Sequence, residues 1–156
     1  MLIQLSKDVD SILYIMLQAF EEYRTEEAPS SALYETVDMI TEELQNGELA
    51  LIGYVDGQEA AMVRFKVEDG FIYFHRLSVL PSFQRMGLAK ELLAFLEQYA
   101  KEQLIPEIQC KVRMNVPRNM KLYQSIGYTI TKEETVTSPI GFEMHVATMS
   151  KMISIH

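Results

Sequence analysis

The chain contains a single cysteine, Cys110, so no disulfide can form within it. Its three histidines, His75, His145 and His156, fall into neither a CxxC nor an HExxH spacing, and no metal cofactor is expected. The opening MLIQLSKDVD carries charge where a leader would be apolar, and long apolar runs are lacking. Neither a signal peptide nor a membrane span or membrane partner is therefore expected, and the expected location is cytoplasmic. Basic residues are also few: 14 Lys and Arg against 22 Asp and Glu give a formal net charge of -8. That charge repels a phosphate backbone, and no Lys/Arg cluster offsets it, which argues against nucleic acid as a partner. Two phosphate motifs are missing as well, GxxxxGK[ST] and GxGxxG.

What is present is an ordinary globular composition, 48% hydrophobic and 23% charged. A length of 156 residues is enough for one domain with a substantial core, and no repeat, low-complexity tract or linker divides it. Residues 1–156 are read as a single domain.

The hydrophobic period places the elements. LIQL at 2–5 reads as a strand. Ser6, Asp8 or Asp10 can cap a following helix that buries Ile12, Leu13, Ile15, Met16, Ala19 and Phe20 and fades near Arg24. A loop is expected from Thr25 to Ser31, and a second helix from about Ala32 to Gln45, ending before Gly47. From Glu48 three strands form an antiparallel meander, turned at Asp56-Gly57 and Asp69-Gly70. Leu88, Leu92, Phe95, Leu96 and Tyr99 then recur at helical spacing, giving a helix from about Gly87 to Glu102. Ile105 to Met114 is strand, Pro117 to Ile126 a short helix with proline near its start, Tyr128 to Lys132 strand, and Phe142 to Ile153 a last strand. The order β-α-α-β-β-β-α-β-α-β-β describes a mixed α/β layer structure.

The chemistry is concentrated in LSVLPSFQRMGLA, residues 77–89. A strand ends, Pro81 prevents its continuation, and a loop containing Gly87 runs straight into a helix. The first amides of a helix have no intrahelical acceptors and sit at the positive end of its dipole, so such a turn can seat a phosphate. Gly87 permits close approach, Ala89 keeps the next turn small, and Arg85 adds a cation. The same pattern also occurs as a purely structural turn.

QRMGLA at 84–89 resembles the Q/R-x-x-G-x-G/A signature of the GNAT acetyltransferases, and the strand before it ends in the family's L-x-V. NVPRNMKLYQSIGY at 115–128 is similar to the family's Asn...LYxxxGF/Y pattern. The resemblance covers roughly residues 48 to 130, and earlier residues only by order of elements. It implies a central mixed, mostly antiparallel sheet of about seven strands flanked by about four helices. It also implies acetyl-CoA as cosubstrate, with the pyrophosphate held at Gln84, Arg85, Met86, Gly87, Leu88 and Ala89 and the pantetheine arm paired to the backbone of Leu77 and Val79.

The same resemblance makes Tyr123 the acid that serves the departing thiolate, with packing as its alternative role. Asn119, four residues before Tyr123, shares its helix face and is preferred over Asn115 as a cofactor contact. Val116 stands where the family often has asparagine. The implied reaction is direct attack by an amine, with no covalent intermediate, and Cys110 is read as a core residue. A backbone amide near Val79, in a bulge that ends strand pairing, is expected to hold the oxyanion.

His75 is the candidate general base, expected with Tyr73 on the face of Leu77; a proton path through water is the alternative. Glu21, Glu22, Glu26, Glu27 and Glu35 either attract a cationic acceptor or form a solvated face. The acceptor is expected to be a small-molecule amine, and the apolar last strand is a route to a homodimer. Transfer of another acyl group, or a non-catalytic CoA-binding module, are the competing readings.

Overall fold

The computed structural model describes residues 1–24 and 31–155. The expected loop from Thr25, with Glu26 and Glu27, lies outside them apart from Ser31, as does His156. Among the described residues, seven strands form one sheet in the order β1-β2-β3-β4-β5-β7-β6: β1 (Leu2–Leu5), β2 (Leu49–Val55), β3 (Gln58–Glu68), β4 (Phe71–Val79), β5 (Glu107–Arg113), β6 (Thr129–Thr137) and β7 (Glu143–Met152). Four α-helices accompany it: α1 (Val9–Phe20), α2 (Val37–Gln45), α3 (Leu88–Glu102) and α4 (Pro117–Ser125). This is the mixed, mostly antiparallel architecture expected; only β4 and β5 run parallel.

Local chemistry explains the element ends. Asp8 caps α1 by accepting from the Ser11 amide, and Ile12, Ile15, Met16 and Ala19 form its buried stripe. Asp56 and Gly57 both take left-handed φ values, 50° and 80°, as the tight β2–β3 hairpin requires. The second helix is shorter than expected. Residues Ser31–Tyr34 form one 3-10 turn, Glu35 turns inward, and Thr36 restarts the chain as N-cap of α2, accepting from the Met39 amide. Strand β6 runs five residues beyond Lys132 to Thr137, on the rim of the sheet, where TKEET carries no apolar period to betray it.

Two cores lie on opposite faces. Alternate β3 residues Ala61, Val63 and Phe65 pack under α3 with Ile72, Phe74, Leu92, Leu96 and Tyr123; Met62 faces the other way, against Ile12, Ile15 and Met16 of α1. The last strand, β7, pairs with β5 on one edge and β6 on the other, so its backbone edges are taken. It therefore offers no edge for the dimer route expected of it. No described helix is long and apolar enough to cross a membrane.

Candidate functional site

Strands β4 and β5 pair only at Ile72–Ile108 and Tyr73–Gln109. β4 continues to Val79 and β5 to Arg113, so beyond Tyr73 the β4 edge facing β5 has no strand partner among the described residues. Unpaired strand edges bind extended chains, because their amides and carbonyls still need partners. The gap widens into a cleft of about 730 Å³, lined from one side by α3 and α4 and from the other by the end of α1.

Ten of the eleven candidate residues line this cleft: His75, Leu77, Val79, Gln84, Arg85, Gly87, Leu88, Ala89, Asn119 and Tyr123. Met86 does not; its side chain is exposed, leaving only its backbone for such a role. Asn115 and Val116 line it as well, so the structure brings both asparagines to the same wall.

The floor of the cleft is the turn into α3. Gly87 is the N-cap, with φ +76°, and a Cβ placed there would meet no atom within 4 Å. The backbone geometry demands glycine, and space lies open beside it. The ladder of α3 starts at the Glu91 amide, which donates to the Gly87 carbonyl, so amides 88–90 have no intrahelical acceptor. An anion fits that seat, with Arg85 and Lys90 on its rim.

Tyr123 is brought to the cleft by α4, which Pro117 opens at its first turn. Its ring stands edge-on to Phe74 at 5.6 Å and lies 5.9 Å from Tyr128, a cluster that orients the phenol. Cys110 is buried, and desolvation pushes its thiol up to about 12, so it carries almost no thiolate near neutral pH. That agrees with its reading as a core residue.

The bulge lies elsewhere than expected. Arg64 pairs with His75 and Met62 with Ser78, so Arg76 and Leu77 together oppose Val63, and Arg76 adopts φ +57°. Pairing then resumes through Val79–Ala61, so the strand does not end at its bulge. The extra residue reverses the side-chain alternation. Leu77 and Val79 pack with the α3 core, while His75 reaches Glu48 on the α1 face. The expectation that His75 and Leu77 share a face is thus corrected.

The sequence reading missed the partners of His75. Its Nε2 lies 2.8 Å from Oε1 of Glu48, which is 1% exposed. The same carboxylate accepts from Arg64 at 2.6 and 3.2 Å, and Arg64 reaches Glu35 at 2.9 Å. Burial alone would raise the Glu48 pKa, but the hydrogen bonds from His75 and Arg64 outweigh it and hold the carboxyl below its usual range. An arginine in mid-strand was the available signal, because a guanidinium in a core needs carboxylates around it.

The helix carboxylates answer cations of the chain itself. Glu21 binds Arg24, Glu22 binds Arg118 at 2.7 Å, and Glu35 binds Arg64 and Arg76. The described members of that group are therefore neither a bare acceptor magnet nor, in the case of Glu35, a solvated face.

The profile of the Acetyltransferase (GNAT) family matches residues 13–128. No curated protein gives a match. Among solved structures, the ribosomal-protein-S18-alanine N-acetyltransferase of Escherichia coli superposes with a TM-score of 0.78 at 18% identity, over 99% of this chain and 96% of that one. The ribosomal-protein-alanine N-acetyltransferase of Brucella melitensis gives 0.79 at 15%, over 98% and 100%. The PaiA N-acetyltransferase of Thermoplasma acidophilum, in complex with coenzyme A, gives 0.76 at 17%, over 97% and 99%. At such identities the superpositions speak for the fold, and the profile match over most of the chain speaks for the family. With an open β4 edge running into a glycine-capped helix start, this chain belongs to the GNAT acetyltransferase family.

Proposed function

We propose that this chain transfers the acetyl group of acetyl-CoA to a primary amine of a small molecule, by direct attack. The observation that carries the reading is the continuity of the free β4 edge with the helix start at Gly87. An extended pantetheine arm needs the first, and a pyrophosphate needs the second. In this reading the backbone of Leu77 and Val79 pairs with the arm, residues 84–89 receive the phosphates, and Asn119 or Asn115 touches the arm from the opposite wall.

His75 takes the proton of the attacking amine. Glu48 is held ionised and can only accept, so it keeps the imidazole proton on Nε2 and leaves the Nδ1 lone pair for the amine. A water between amine and ring serves the same path where the acceptor is short. As nitrogen bonds to the thioester carbon, a backbone amide of the Arg76–Leu77 bulge donates to the oxygen that becomes negative. The carbon–sulfur bond then breaks, and Tyr123 donates its phenolic proton to the leaving thiolate, yielding CoA and the acetamide.

A small acceptor is favoured by the mouth of the cleft. Glu22, just after α1, and Arg118, in the first turn of α4, meet across it at 2.7 Å and tie its two walls together. Titration calorimetry with acetyl-CoA and CoA, followed by thiol release across amino acids, polyamines and amino sugars, tests the reading. Micromolar acetyl-CoA binding with turnover of at least one amine is expected. Absence of binding at millimolar concentration overturns it.

A further inference from the structure

Four described residues other than glycine have left-handed backbone: Asp56, Arg76, Arg85 and Leu104. Asp56, Arg85 and Leu104 lie outside the strands and α-helices, whereas Arg76 sits inside β4. A side chain in that region is strained, and it persists only where its surroundings over-determine it. Here they do. The Arg76 guanidinium donates to Oε2 of Glu35 at 2.9 Å and to the Ser31 hydroxyl at 2.9 Å, and the Ser78 hydroxyl donates to the Arg76 carbonyl at 2.8 Å. Glu35 is itself gripped by Arg64, which is fully buried.

We propose that Glu35 and Arg76 form a clamp that holds the β4 bulge in its reactive shape and ties it to the segment at Ser31–Glu35, whose Ser31 lines the cleft. The clamp rests on the reading of the bulge amide as oxyanion donor. Its own claim is that the bulge keeps its geometry because a residue 41 positions earlier in the chain pulls on it. A bulge amide displaced by a fraction of an ångström no longer aligns with the developing charge. Glu35 and Arg76 are thus positioning residues.

The test uses the full chain and Arg76→Met. Methionine keeps an unbranched stem and the cost of a left-handed φ but cannot donate to Glu35, so the strain stays while the clamp is lost. Glu35→Gln is the second variant, because it keeps the shape and weakens the ionic grip. Amide hydrogen exchange over residues 74–80 is measured together with steady-state kinetics, using the amine that releases thiol fastest in the panel above.

For both variants we expect exchange about tenfold faster at the bulge, with α3 unchanged. We also expect kcat about tenfold lower and KM for acetyl-CoA raised by no more than about threefold, since the phosphate seat at 84–89 and Val79 are untouched and only Leu77 of the arm-pairing backbone lies in the bulge. Unchanged exchange overturns the clamp. Faster exchange with unchanged kcat overturns its link to catalysis. If the unaltered protein acetylates no amine, the acetyltransferase reading fails, and hydrogen exchange alone then decides the clamp.

Discussion

His75 Nε2 lies 2.8 Å from Glu48 Oε1, although 27 residues separate them, and the carboxylate is shared with a guanidinium that has no solvent contact. Such an arrangement ties the imidazole to a carboxylate that the hydrogen bonds of His75 and Arg64 hold below its ordinary range.

The acid limb of stability follows from that carboxylate. Its folded pKa lies below the ordinary value of 4.5, so the stabilisation it contributes is complete above about pH 4.5 and is lost as pH falls through the folded pKa. Glu48→Gln removes this dependence and, by leaving Arg64 with less compensation, costs about 3 kcal/mol at neutral pH. Urea unfolding between pH 7 and pH 3 should show a lower midpoint for the variant and a flatter acid limb. A parallel pair of curves would remove Glu48 from the account.

Tyr123→Phe deletes one hydroxyl and keeps the ring that packs on Phe74 and Tyr128. Turnover should fall about 10²-fold while acetyl-CoA affinity and thermal midpoint stay close to those of the parent. Equal kcat in both proteins would assign Tyr123 to packing.

Gly87 separates backbone from ligand effects. At φ +76° valine is severely strained and asparagine less so, yet either places a Cβ in the open space beside the helix start. Calorimetry should show weaker acetyl-CoA binding for both Gly87→Val and Gly87→Asn, with the larger drop in thermal midpoint for valine. Undiminished binding by Gly87→Asn would move the pyrophosphate elsewhere.

Cys110 should be silent. A thiol pushed up to about 12 leaves roughly one part in 10⁴ as thiolate at pH 8, and the side chain is 2% exposed. Iodoacetamide should label it at pH 8 only after urea unfolding, as read by mass spectrometry. Rapid labelling of the folded chain would contradict both its burial and its exclusion from chemistry.

Much of the fold was legible, because its signals are local. Asp56-Gly57 dictates a hairpin by the conformations these two residues accept, and Leu88, Leu92 and Leu96 dictate a helix face. The length of β6 was not, since a rim strand buries little and its charges erase the period. The break at Glu35–Thr36 was hidden for another reason: Glu35 leaves the helix because Arg64 and Arg76 draw it inward, and those partners lie far along the chain.

The candidate site divides along the same line. The amino-acid sequence alone determined the glycine-capped start of α3, the helix that carries Tyr123 and the family, since each depends on residues within one short stretch. Only the tertiary structure decided that the bulge falls at Arg76–Leu77, that His75 and Leu77 face opposite sides, and that Glu48 and Glu35 stand behind them. A bulge is defined by the register against a partner strand, and a buried charge by partners the fold brings from elsewhere, so neither is written in the order of residues around it.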